Sequence, residues 1–149
     1  MKRIGFLALV LLASLWLTAC NPGDDEGGGY RADLSGEKEV CEGDTCGGDA
    51  TGSATVDINS DRNEVCYELT IEGAENVMAA HIHSGLDDEA GPVVVDLEFA
   101  GDDSGAEACV DDVEESILED ISEEPSDYYV NVHSERYPDG ALRGQLEES

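Results

Sequence analysis

Val65-Cys66-Tyr67-Glu68-Leu69-Thr70-Ile71-Glu72 decides the fold class of this chain. Its odd positions are apolar, and three of its four even positions are Glu or Thr. Successive side chains of a strand leave opposite faces, so this alternation describes a strand with one face in a core and one in water. The same period recurs outward in both directions. Ala54, Val56 and Ile58 alternate with Thr55 and Asp57, and Met78, Ala80 and Ile82 with Ala79, His81 and His83. Val93 to Phe99 is a further apolar run. Tyr128, Val130 and Val132 alternate with Tyr129, Asn131 and His133, and Leu142, Gly144 and Leu146 with Arg143 and Gln145. Short strands at regular spacing, separated by Gly, Asp and Asn, predict an all-β, antiparallel Greek-key sandwich or barrel. Met78, Ala80 and Ile82 are expected to point into its core.

One segment breaks the period. Val110, Val113, Ile117, Leu118 and Ile121 fall at helical spacing, and Pro125 ends the run. A short amphipathic helix with an acidic outer face is expected over about 110–122, before the last hairpin. Asp111 and Asp112 suit the dipole at its N-terminal end. Glu119, Asp120, Glu123 and Glu124 oppose it at the other, so the helix needs packing on the sheet to form.

The N-terminus reads differently. Lys2 and Arg3 precede an almost wholly apolar stretch from Ile4 to Leu17, closed by Thr18, Ala19 and Cys20. A positive start, a short apolar run and small residues at a cut site predict a secretory signal peptide over 1–19; the run is short of the ~20 residues of a membrane span. Leu17-Thr18-Ala19-Cys20 resembles the bacterial lipobox, which implies cleavage before Cys20 and a diacylglycerol on its thiol. Residues 20–29, with Asn21-Pro-Gly-Asp-Asp-Glu-Gly-Gly-Gly29, suit a flexible tether, and 30–149 is left as one domain. The expected location is the cell envelope, with the chain lipid-anchored to a membrane on its extracytoplasmic side.

The net charge is −29, and loss of Lys2 and Arg3 makes the mature chain two charges more negative. Phosphate binding needs clustered Lys and Arg, so nucleic acid is excluded as a partner, and so is anionic lipid met through the protein surface. Five cysteines fit export. With Cys20 lipidated, Cys41, Cys46, Cys66 and Cys109 form an even set in an oxidising compartment. Of three possible pairings, Cys41–Cys46 and Cys66–Cys109 are chosen, the first closing a tight Gly-rich loop. No C-x₂-C pair favours a four-cysteine zinc site. Asp87-Asp88-Glu89 and Asp102-Asp103 lack the ligand spacing of a calcium loop.

The chain has three histidines: His81, His83 and His133. The first two, at i and i+2 on a strand, share the face opposite Ala80 and Ile82. His133 lies opposite Val130 and Val132. Three imidazoles on outer strand faces, with loop 84–92 able to fold over them, would suit copper or zinc. Asn131, Arg143 and Gln145 would then act around the ligands rather than as ligands. The competing reading makes the histidines hydrogen-bonding residues in a structural polar network with those same three side chains.

Three blocks carry a family resemblance: Leu34-Ser-Gly-Glu-Lys-Glu-Val40; Ala79-Ala-His-Ile-His-Ser-Gly85 with Gly91-Pro-Val-Val-Val-Asp-Leu97; and Tyr129-Val-Asn-Val-His-Ser134 with Tyr137-Pro-Asp-Gly-Ala-Leu-Arg-Gly-Gln-Leu146. Over 30–146 the chain resembles the CHRD domain, a module named after chordin and found in many bacterial secreted proteins. Cys41 to Cys46 replaces prolines frequent in the family, and Asp87-Asp88-Glu89 replaces a Gly-rich loop. The resemblance implies no established enzymatic activity. The expected function is a non-enzymatic, surface-anchored domain that binds a protein or extracellular ligand. The alternative is a copper- or zinc-binding lipoprotein using His81, His83 and His133. A weaker resemblance, to copper–zinc superoxide dismutases, lies in the order of His-x-His, a later His and Gly140-Ala-Leu-Arg143. There is no fourth histidine to bridge two metals, and dismutase activity is not expected.

Overall fold

The computed structural model describes residues 29–41 and 43–149. The signal peptide, Cys20 and nearly all of the expected tether lie outside them. Nine strands and one α-helix follow in order: β1 (Gly29–Ser35), β2 (Thr51–Asn59), β3 (Glu64–Glu72), β4 (Val77–Ser84), β5 (Val93–Asp96), β6 (Gly105–Val110), α1 (Glu115–Glu123), β7 (Tyr128–Ser134), β8 (Leu142–Gln145) and β9 (Glu147–Glu148). Every strand pairing is antiparallel. The sheet order is β5-β4-β7-β8-β1-β2-β3-β6, with β9 beside β1. The result is a nearly closed barrel with one short helix, and among the described residues no helix is long and apolar enough to cross a membrane.

β1, β2 and β3 form a meander in which the predicted alternation is realised. Val56, Ile58, Val65, Tyr67, Leu69 and Ile71 are buried, and the residues between them are more exposed. Two connections then cross the barrel, β3 to β4 and β6 to β7. The second carries α1, and it lays β7 between β4 and β8. That placement matters for function, because it sets the third histidine beside the first two. β7 is buried on both faces from Tyr128 to Val132, its outer side being covered by loops.

Four expectations need correction. The helix begins at Glu115, not near 110. Residues 105–110 instead form β6, in register with β3 so that Cys109 lies opposite Cys66. Pairing in the sheet satisfies every other backbone group of that segment, and Asp112, at a left-handed φ of 59°, separates strand from helix. Leu118 and Ile121 do reach the core, as the spacing predicts. Met78 is exposed at 54 % rather than buried, because the β4–β7 register shifts between Val77 and Ala79 and turns its side chain outward. The Val93–Phe99 run is strand only to Asp96, since Glu98 adopts a left-handed φ of 46°. Gly29, assigned to the tether, is the first residue of β1 and pairs with Asp57.

The disulfides are Cys41–Cys46 and Cys66–Cys109. The first holds the segment after β1 beside the turn before β8, where Cys46 bridges Gly140 and the Gly47 N–H donates to the Gly140 carbonyl.

Candidate metal centre

In register, β4 and β7 place Ala79 against His133, His81 against Asn131 and His83 against Tyr129. All three histidines therefore rise from neighbouring positions on one face, away from the apolar core. Ring centroids are 5.7 Å apart for His81–His83, 4.9 Å for His81–His133 and 6.0 Å for His83–His133. One nitrogen from each ring lies within 4.8 Å of the other two. A metal at about 2.0–2.1 Å from each nitrogen needs them roughly 3.3–3.6 Å apart, a contraction that small ring rotations supply.

The hydrogen bonds select which nitrogens are free. His83 Nδ1 lies 2.9 Å from the Gly91 carbonyl and His133 Nδ1 3.0 Å from the Pro138 carbonyl. A carbonyl only accepts, so both Nδ1 atoms carry the proton, and each Nε2 is left with an open lone pair. His83 Nε2, His133 Nε2 and His81 Nδ1 are buried and have no hydrogen-bond partner. His81 Nε2, on the far side of its ring, lies 4.0 Å from the Asp96 carboxylate. Orphaned buried acceptors are costly and rare. Three converging on one point, each held by an acceptor behind its ring, have the pattern of metal ligands whose outer bonds fix tautomer and orientation. The chemistry matches: three neutral imidazoles suit copper or zinc.

Burial holds all three imidazoles below their ordinary pKa. At His81, the Asp96 charge partly offsets burial; at His83 and His133, the Gly91 and Pro138 carbonyls do. The rings are thus neutral at pH 7, the state a metal requires. For the metal-free fold the unfolded chain takes up these protons first. Its stability is therefore full above about pH 6.5 and is lost as pH falls toward the lower folded values.

The residues expected around the ligands do other work. None of Asn131, Arg143 and Gln145 hydrogen-bonds to a histidine. Arg143, 2 % exposed, donates to the carbonyls of Leu86 and Glu89, and Gln145 donates to those of Gly85 and Ser126. Tyr129 is a residue whose role the sequence reading missed. Its ring stacks on His83 with centroids 4.9 Å apart, the Arg143 guanidinium sits 3.5 Å over it, and its hydroxyl accepts from the Gly91 N–H. Arg143, Tyr129 and His83 thus form one stack beneath loop 85–91 and hold that loop over the histidines. Gly91 must be glycine here, since a Cβ would overlap the Ser84 carbonyl. Asp87, Asp88 and Glu89 ride on this loop and show no convergence on a common point with the histidines.

Asn131 donates to Glu39 at 3.2 Å, while its own Oδ1 and Glu39 Oε1 are buried without partners. Burial pushes the Glu39 carboxyl up to about 7, against the lowering effects of Asn131 and Arg143. A protonated Glu39 has a donor to offer one of those acceptors. Its folded pKa lies above its unfolded one, so its contribution is present below about pH 4.5 and is lost as pH rises through 7. Denaturation at a series of pH values should show Glu39→Gln gaining on wild type across that window; a difference independent of pH would contradict this assignment.

An antiparallel, nearly closed barrel with a loop strapped over one sheet face defines the class of protein: a small β module built to present a covered surface site. The chain belongs to the CHRD domain family, whose model matches residues 30–146. No curated protein and no solved structure matched the chain.

Proposed function

We propose that this CHRD-type interaction domain binds one copper or zinc ion through His81 Nδ1, His83 Nε2 and His133 Nε2. The observation that carries the reading is the convergence of three buried, unpartnered imidazole nitrogens within 4.8 Å. A structural polar network would leave fewer such atoms orphaned, and Asn131, Arg143 and Gln145 bond elsewhere. Binding rather than turnover is the role: no nucleophile or proton-transfer pair accompanies the histidines. The lipobox-like Leu17-Thr18-Ala19-Cys20 supports placing this site outside the cytoplasm on a lipid-anchored chain. Changing Cys20 to Ala should then stop fatty-acid labelling and leave uncleaved precursor; unchanged labelling would rule out the anchor.

Calorimetric titration of residues 29–149 with copper and zinc tests the site. One ion per chain is expected, with affinity nearly level from pH 8 to about 6.5 and falling below as the imidazoles protonate. His133→Ala should weaken it at least ~100-fold. Asp96→Asn should weaken it by about 10-fold, the usual loss when a ligand histidine loses its outer carboxylate. Binding that survives His133→Ala, or that calcium and magnesium match, would show only the acidic surface at work.

A further inference from the structure

The barrel does not close. β5 pairs only with β4 and β6 only with β3, so two strands present unpaired edges. Between them lies a groove of about 440 Å³, lined on one side by Val93–Asp96 and Glu98 and on the other by residues 110–114 and Ile117 of α1. Its position on the sheet is distinct from the histidine face, and the inference does not depend on a metal.

Three features of the groove point the same way. The first is the free edge. The Leu97 N–H donates to the Ala80 carbonyl at 3.1 Å, and Val95 lies opposite Ile82. Alternation along the strand turns the backbone groups of Asp96 and Val94 the other way, toward the groove. The second is apolar surface: Val93 is 48 % exposed, and Val94, Val113 and Ile117 are only partly covered. The third is charge. Asp96, Glu98, Asp111, Asp112 and Glu114 line the groove, and no Lys, Arg or His does.

Together these decide the occupant. An extended segment can pair with an exposed sheet edge while alternate side chains enter pockets. A second copy of this chain would bring a net charge of −29 against the same carboxylates and be repelled. We propose that the β5–β6 groove takes an extended, basic segment of another protein, which adds a strand to β5. Apolar side chains of that segment would face Val94, Val113 and Ile117, with Lys or Arg between them reaching the rim. β5 has four residues, so the matching segment is about 4–6 residues long, roughly 13–20 Å.

Acidic residues at a short edge strand can instead serve to keep other strands off, and the two roles predict opposite results. The probe is the capped peptide Lys-Val-Lys-Val-Lys-Val, titrated into the full chain in detergent and followed by backbone amide NMR shifts. Saturable shifts confined to residues 93–98 and 110–117 are expected, with affinity dropping at least tenfold between 50 and 500 mM salt. The double change Asp111→Lys and Glu114→Lys, on exposed side chains, should lower affinity at least tenfold. Val94→Pro removes an edge N–H without altering charge and should lower it as well. Lys-Gly-Lys-Gly-Lys-Gly should bind at least tenfold more weakly. Equal binding of the glycine peptide, shifts spread over the whole acidic surface, no shifts at all, or self-association through β5 in sedimentation would each overturn the proposal.

Discussion

Arg143→Ala is expected to destabilise the domain by about 3–4 kcal/mol and to release loop 85–91. The guanidinium is almost wholly buried and donates to two loop carbonyls, Leu86 and Glu89. Its removal leaves both without their donor, at about 1–3 kcal/mol for each that stays unsatisfied, although an opened loop lets water relieve part of this. It also strips the cation from the face of Tyr129, a contact of about 1–2 kcal/mol when desolvated. Arg143→Lys should recover little, because an ammonium lacks the planar fork that spans two carbonyls while stacking on a ring. Urea denaturation measures the first effect and limited proteolysis within 85–91 the second. The loop positions Gly91, which holds His83 Nδ1, so metal affinity should fall in step with loop release. Loss of stability with an intact, protease-resistant loop would mean that Arg143 supports the barrel alone.

Removal of the Cys66–Cys109 disulfide is expected to cost about 2–5 kcal/mol, with a loop-entropy value near 4 kcal/mol. The bond spans 43 residues and joins directly opposed positions on β3 and β6. β6 is an edge strand held only by β3 among the described strands, and it covers one flank of the row Val65, Tyr67 and Leu69. The paired change of Cys66 and Cys109 to Ala should therefore lower the denaturation midpoint and raise amide exchange first in 105–110. Breaking Cys41–Cys46, which closes a loop of far shorter span, should cost less. Equal losses for the two would contradict this ranking.

The strands were legible because their apolar positions keep period two wherever one face is wet, as from Thr51 to Glu72. Reading failed where pairing overrides the local pattern. Val110 fits a helical stripe with Val113 and Ile117 by spacing alone, yet the partner that fixes it lies 45 residues earlier, at Val65. Met78 has the right parity for burial, and only a bulge, invisible in composition, turns it out. β1 was read as a family block but not as a strand, because Arg31 and Asp33 alternate with the small Ala32. At the candidate site, parity put His81, His83 and His133 on outer faces, but their meeting depends on β7 lying beside β4, which strand spacing does not encode. The residues behind the rings were hidden for the same reason. Two are backbone carbonyls, Gly91 and Pro138, which have no side-chain signature. Asp96 belongs to an apolar run, and Glu39 reaches Asn131 from 92 positions away.

The central claim is that three imidazoles share one ion. X-ray absorption at the copper or zinc edge of the loaded domain measures the ligand shell directly. The account predicts three imidazole nitrogens at about 2.0–2.1 Å, with the outer-ring scattering characteristic of histidine, and loss of one of them in His81→Ala. A shell of oxygen atoms alone, unchanged in His81→Ala, would contradict it and assign the metal to surface carboxylates.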